Sequence, residues 1–364
     1  MDLSKPVDRA FTRALPKVEL HAHLSGSISR QCLHEIWQRK KAQEPETFTI
    51  EDPLVVMPPG KVDYSLHTFF TTFSTMIYHL LTTLTDIRYA TYSTLTDFAA
   101  DGVTYLELRT IPRASPGHQN FTREEYLITV LETIAEFDRR QRGSPLETQM
   151  TTNLILAIDR GGMTAQEAME VVELAINNRR KCVVVGVDIC GNPTKGDISI
   201  YGPAIQKAKD AGLGVTLHFA EAQQQPQADE LMTLLDFEPD RLGHVIHVPG
   251  QVKEKIKKRR LALELCLSCN VHAGMVNGGF AEHHFGEWWG EKDGAVVVLC
   301  TDDVGFFCSP VSNEYLLAAE HFHLSRADML SLCRKSYRVI FGDSREKERL
   351  DRLLDDFEAN NYKR

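Results

Sequence analysis

Short runs rich in β-branched and apolar residues recur along the chain, separated by stretches whose apolar positions follow a helical period. Eight such runs stand out: residues 17–21 (KVELH), 103–109 (VTYLELR), 153–158 (NLILAI), 183–189 (VVVGVDI), 215–219 (VTLHF), 241–246 (RLGHVI), 261–267 (LALELCL) and 295–301 (AVVVLCT). Residues 123–140, 165–180 and 203–211, which lie between them, are amphipathic. Near-continuous apolar strands joined by helices predict a parallel sheet buried on both faces. Eight βα units in series predict an α/β fold closed as a (β/α)8 barrel of the TIM type. One barrel domain over residues 1–364 is expected. Residues 29–101 should form a helical insertion or lid after the first strand, and residues 311–364 terminal helices packed on the barrel. The basic run KEKIKKRR at 253–260 reads as the solvated face of a short helix, and the proline-rich stretch 43–61 as a surface connection.

The polar residues argue for closure more strongly than the count of strands does. They gather where the runs end: His21 and His23, Arg109 and Thr110, Asp159, Asp188, His218 and Glu221, His244, Asn270, and Asp302 with Asp303. In a closed parallel barrel the C-terminal ends of all strands converge on one face, and catalytic groups sit there. In an open sheet, strand ends at opposite edges lie too far apart to cooperate.

Charge narrows the possible partners. With 41 Lys+Arg against 50 Asp+Glu, the formal charge is -9, which argues against nucleic acid as a partner, because such binding requires clustered cations to neutralise phosphates. A single small anion needs only a few local donors. No run approaches the ~18 apolar residues of a membrane span, and the first residues are polar, without the apolar core of a secretory signal. The eight cysteines are scattered and fit reduced thiols. The expected protein is cytoplasmic and monomeric, with neither membrane nor nucleic-acid partners.

His21-Ala22-His23 places two imidazoles on one side of a strand end, within reach of one ion. Alone, that spacing is a weak signal. His218 and Asp302, ending the fifth and eighth runs, point into the same barrel mouth and complete a three-histidine, one-carboxylate set suited to zinc. Glu221 lies three residues past His218. In a partly apolar pocket its carboxyl would keep its proton near neutral pH and serve as an acid. His244 and Asp303 would orient the attacking water and move its proton. The set fits metal-assisted hydrolysis at an electrophilic carbon.

The segments VELHAHLSGS, LHFAE, RLGHVIH and CTDDVGFF, in this order and spacing, resemble the adenosine deaminase family of metal-dependent amidohydrolases across essentially the whole chain. The resemblance implies one Zn2+ per chain on His21, His23, His218 and Asp302. It implies Glu221 as proton donor to purine N1, His244 as the catalytic histidine, and Asp303 as the carboxylate that positions water and contacts N7. Within the family, ADGVTYLELRTIPR, GVDICGNPTKG, ELCLSCN and CTDDVGFFCSPVSNEY are similar to the branch that converts N6-methyl-AMP to IMP and methylamine. Larger N6-substituted AMP analogues are further candidate substrates. Substrate contacts then map onto His23, Ser25, His79, Thr110, Ile111, Pro112, Arg113, Asp159, Gly191, Glu221 and Asp303. That branch has Asn where Ser25 stands and H-C-G-E where this chain has His218-Phe219-Ala220-Glu221.

Elementary electrostatics supports the nucleotide branch separately. Nucleoside deaminases carry Asp after HxHL, where it meets the ribose 5′-hydroxyl; a carboxylate there would repel a 5′-phosphate. Ser25 is neutral, and His79 and Arg113 would supply positive donors. The alternative is an adenosine or adenine deaminase acting on the unphosphorylated purine. A silent purine-binding scaffold would require a broken ligand or acid position, and none is broken.

Other residues carry plainer readings. His283-His284 and His321-x-His323 fit surface histidines or partners of site residues, and Cys266-x-x-Cys269 fits buried thiols. Arg109 fits a structural cation at the barrel end as well as a phosphate ligand. Asp188 reads as a carboxylate satisfying backbone donors.

Overall fold

The computed structural model describes residues 5–115, 121–143, 145, 149–179, 183–223, 228–290 and 294–361. Eight parallel strands follow one another around a single sheet in sequence order. They are β1 (Lys17–His23), β2 (Val103–Thr110), β3 (Thr151–Asp159), β4 (Val184–Cys190), β5 (Gly214–Phe219), β6 (Arg241–His244), β7 (Ala262–Leu265) and β8 (Val296–Leu299). This is the expected TIM-type barrel. The amphipathic stretches are helices on its outside: Arg123–Gln141, Ala165–Arg179 and Gly202–Asp210. Thr122 and Glu125 form a reciprocal cap at the start of the first of these.

β6, β7 and β8 stop short of the runs predicted for them, at His244, Leu265 and Leu299. Beyond β6, His244 and Val245 take left-handed backbone angles (φ 65° and 56°). After β7 the chain enters the helix Leu267–His272. In both places the backbone turns before the apolar run ends, so periodicity alone overextends the strand.

Closure takes place at the barrel mouth. Asp302 N–H donates to His21 O (2.7 Å) and His23 N–H to Asp302 O (3.0 Å), forming a parallel bridge opposite Ala22. Deeper in the seam, the buried Glu19 carboxylate accepts from His21 N–H (2.6 Å), Thr301 N–H (2.9 Å) and the Thr301 hydroxyl (2.8 Å). A side chain therefore takes over donors that a continuous ladder would satisfy.

Below the mouth the interior is charged, whereas TIM barrels ordinarily fill this space with branched apolar layers. Fully buried Glu264 accepts from His21 Nδ1 (2.7 Å), Arg109 Nη2 (2.7 Å), Thr216 Oγ1 (2.8 Å) and Arg241 Nε (2.6 Å). Arg109 also donates to Asp188 (3.0 Å), and Arg241 to Glu107 (2.5 Å). The two arginines pull Glu264 well below the usual carboxylate range against a large upward push from burial. Arg109 is thus held as a structural cation between Glu264 and Asp188, and it also reaches the wall of the cavity above. At the opposite end the Phe341 ring covers the Arg241 guanidinium, 3.6 Å from carbon to centroid.

Residues between β1 and β2 carry helices that include Arg30–Gln43, Leu66–Thr72 and Leu84–Ala100. Residues beyond β8 carry Val311–Phe322, Arg326–Arg338 and Ser344–Asn361. Among the described residues no helix is long and apolar enough to cross a membrane.

Arg241→Met strips two buried carboxylates of a partner at once. Loss of one member of a buried charge network costs about 3–5 kcal/mol, so urea unfolding should show a correspondingly lower midpoint.

Candidate active site

β1 ends in His21-Ala22-His23, β5 ends one residue past His218, and Asp302 follows β8. The barrel brings all four residues together: one ligand atom from each lies within 4.8 Å of every other. His23 Nε2 is 3.1 Å from His218 Nε2, and Asp302 Oδ1 is 3.4 Å and 3.3 Å from the Nε2 atoms of His21 and His23. His21 and His218 donate through Nδ1, so their Nε2 atoms present lone pairs to this point. His21 Nε2 is moreover buried without a hydrogen-bond partner. A divalent cation satisfies this set, and nitrogen with one carboxylate oxygen is the donor chemistry zinc accepts.

The imidazoles are held from behind. His21 Nδ1 donates to Glu264 and His218 Nδ1 to Asp188 (3.2 Å), which turns each Nε2 lone pair toward the common point. Asp188 therefore orients a candidate ligand, beyond the backbone role first expected of it. The Cys269 thiol donates to Asp302 Oδ2 (2.8 Å) and steers the other carboxylate oxygen forward. Burial pushes the Asp302 carboxyl up, but its imidazole neighbours outweigh this and leave it well below the ordinary range. Burial lowers His23 to about 4, keeping it neutral, as a ligand must be.

Above this cluster lies a cavity of about 600 Å³. Its wall includes His23, Ser25, Thr110, Ile111, Asp159, Gly191, His218, Glu221, Asp302 and Asp303, with Phe69, Phe70 and Phe73 from the insertion between β1 and β2. Glu221 is buried, and that burial raises its carboxyl to about 7. Asp303 is pushed well above the usual range by burial and by the negative Asp302 beside it. His244 Nε2 stands 3.9 Å from both Glu221 Oε1 and Asp302 Oδ2.

The structure leaves three of the expected substrate contacts outside the described wall. Arg113 donates to Leu81 O (2.7 Å), and its guanidinium lies over the Tyr78 ring at 4.9 Å, so it braces the wall from behind. Pro112 precedes it and likewise does not line the cavity. His79 is exposed. A π-helical turn over Phe73–Ile77 rotates the chain so that Tyr78 faces inward instead and meets the Ser25 hydroxyl. A one-residue change of helical register of this kind leaves no mark in a periodicity pattern.

Sequence reasoning passed over the glycines that the site depends on. A Cβ on Gly26 would fall 1.4 Å from Asp303 Oδ1, and one on Gly243 would fall 2.5 Å from the His21 ring. Both lie inside motifs quoted above, and only a bare Cα admits the carboxylate or the imidazole there. A signal existed for Glu264 as well: one acid in an otherwise apolar run must be paired.

Comparison with known proteins places the chain among enzymes. The adenosine deaminase family matches residues 16–357. N6-Methyl-AMP deaminase-L of Xenopus laevis is 36% identical over 335 residues, spanning 91% of this chain and 89% of that protein. The crystal structure of Arabidopsis N6-mAMP deaminase shares the fold with a TM-score of 0.85 at 32% identity, over 95% of this chain and 99% of that one. Arabidopsis ADAL complexed with IMP gives a TM-score of 0.85 at 32% identity, over 95% and 98%.

The two glycines separate metal retention from turnover. Gly26→Ala should displace Asp303 and lower kcat by about 10²-fold with metal content unchanged. Gly243→Ala should displace His21 and weaken metal affinity by about 10- to 100-fold. Elemental analysis beside steady-state kinetics distinguishes the two.

Proposed function

Because the chain belongs to the adenosine deaminase family of hydrolytic deaminases, we propose that it converts N6-methyl-AMP to IMP and methylamine. One zinc ion per chain would be held by His21, His23, His218 and Asp302. The relatives named N6-methyl-AMP deaminase and the IMP-bound Arabidopsis structure support the substrate. Within this chain the carrying observation is Ser25, a neutral hydroxyl on the cavity wall where an acid would repel a phosphate. With Arg113 turned to Leu81, Lys195 on the same wall is the cation offered to that phosphate.

A divalent cation held by these four residues would lower the pKa of a water there to about 7. Glu221 gives its proton to purine N1, which withdraws electron density from C6 and opens it to attack. With the negative charge of Asp302 taken up by a cation, the repulsion that raises the Asp303 carboxyl would be relieved, and Asp303, pressed against Gly26, would accept the proton of the incoming water while His244 Nε2 orients that water. Gly191, at φ 95° on the wall, presents its peptide to N3, and Asp159 faces the ribose. A C6–O bond forms, the C6–N6 bond breaks, and methylamine leaves with a proton. The phenylalanines of the insertion give the N6-alkyl group an apolar surface.

Turnover of N6-methyl-AMP, AMP and adenosine by the metal-replete protein decides the substrate. N6-methyl-AMP should lead, and a lead for adenosine would replace this reading with a nucleoside deaminase. Ser25→Asp should reduce kcat/KM for the nucleotide far more than for the nucleoside.

An acid with a pKa of about 7 works only while protonated. Loss of kcat/KM on the alkaline side of neutrality is therefore expected as Glu221 ionises, with activity kept below that point until other groups titrate. Glu221→Gln should abolish turnover at every pH while the metal content stays at wild-type level.

A further inference from the structure

The orientation of the His244 ring follows from a backbone amide whose proton cannot move. Phe285 N–H donates to His283 Nδ1 at 3.0 Å, so that nitrogen must carry a lone pair. His283 is buried, and burial together with neighbouring His284 keeps it neutral, leaving its one proton on Nε2. That nitrogen lies 3.1 Å from Asn270 Oδ1, which accepts from it. The Asn270 amide is thereby fixed with Nδ2 toward His244 Nδ1, 3.0 Å away. His244 Nδ1 consequently accepts, and the ring's proton sits on Nε2. This atom is buried without a partner among the described residues and faces Glu221 and Asp302. The adjacent His284 stacks on His283 at 4.1 Å and donates through Nε2 to the carbonyl of His244 (2.6 Å), holding the left-handed backbone there. Two consecutive histidines thus grip His244, one through Asn270 at its ring and one at its main chain.

We propose that Asn270 and His283 are positioning residues that lock His244 with its proton on Nε2, making it a hydrogen-bond donor to the attacking oxygen and leaving Asp303 to take the proton. The catalytic consequence rests on the deaminase reading above; the tautomer does not. Ring orientation of this kind matters: an aspartate-to-asparagine change behind a catalytic histidine, which imposes the wrong tautomer, costs about 10⁴-fold in a serine protease. Nothing in the run ELCLSCN marks Asn270 for this part, and His283 sits where a surface histidine was equally expected.

Nitrogen-15 NMR of the histidine rings in the zinc-loaded full chain reads the tautomer directly, with His244→Asn assigning the signals. His244 and His283 should each show a bare Nδ1 and a protonated Nε2. A proton on His244 Nδ1 in the wild type would overturn the proposal whatever the substrate proves to be. Asn270→Asp, which only accepts, should move a proton onto His244 Nδ1 and lower kcat by about 10²-fold or more, with KM and zinc content unchanged. A kcat loss without proton movement, or movement without kcat loss, counts against it. His283→Ala should lower kcat, and His283→Gln, which restores an amide donor toward Asn270, should recover it; equal losses in both also count against it.

Discussion

Everything at the barrel mouth stands on a carboxylate that never meets water. Glu264 lies on the axis with four donors around it, and two of them, Arg109 and Arg241, reach on to Asp188 and Glu107. Taking these ions out of water costs several kcal/mol for each, and only near-complete pairing offsets that cost. An apolar layer would serve stability as well, so the reason for the charges lies above them. Glu264 and Asp188 each hold an imidazole by its Nδ1, and a methyl-lined interior cannot do that. The network converts the rigidity of the barrel into fixed directions for two lone pairs.

Most of this architecture was legible, and the reasons differ from element to element. The eight strands showed because both of their faces are buried, so that each run is apolar throughout. The four metal-site donors and Glu221 showed because polar side chains at strand ends are conspicuous beside such runs. Arg113 and His79 misled for the opposite reason. Both lie in connections, where a basic residue near the mouth can face the cavity or brace its wall, and only the π-helical turn at Phe73–Ile77 and the Leu81 carbonyl decide which. Asn270 and His283 were visible as residues but not as a pair, because thirteen positions and a change of element separate them.

Backbone geometry shows where the fold accepts cost. Ala220, His244, Val245 and Asp302 all take left-handed angles without being glycine, and all lie just past a barrel strand or at its last residue. Such angles cost roughly 1–2 kcal/mol each. Here they abruptly re-aim the chain, so that Glu221 and Asp302 line the cavity and the buried His244 ring faces both of them. Elsewhere the motif glycines solve the converse problem by letting a catalytic group approach a neighbouring backbone. Strain and bare Cα atoms therefore occur together at the barrel mouth, where function asks for directions that regular strands do not provide.

The seam between β1 and β8 has a consequence for the order in which the molecule is made. His21 and His23 emerge early in synthesis and His218 much later, but the carboxylate that completes the set, and the peptide that ties the last strand to the first, both belong to Asp302. Until the ribosome has delivered that residue, the nascent chain can offer an ion three nitrogens and an open edge. Completion of the four-donor set and closure of the ring therefore both wait for Asp302, and an interrupted chain that ends before it has neither.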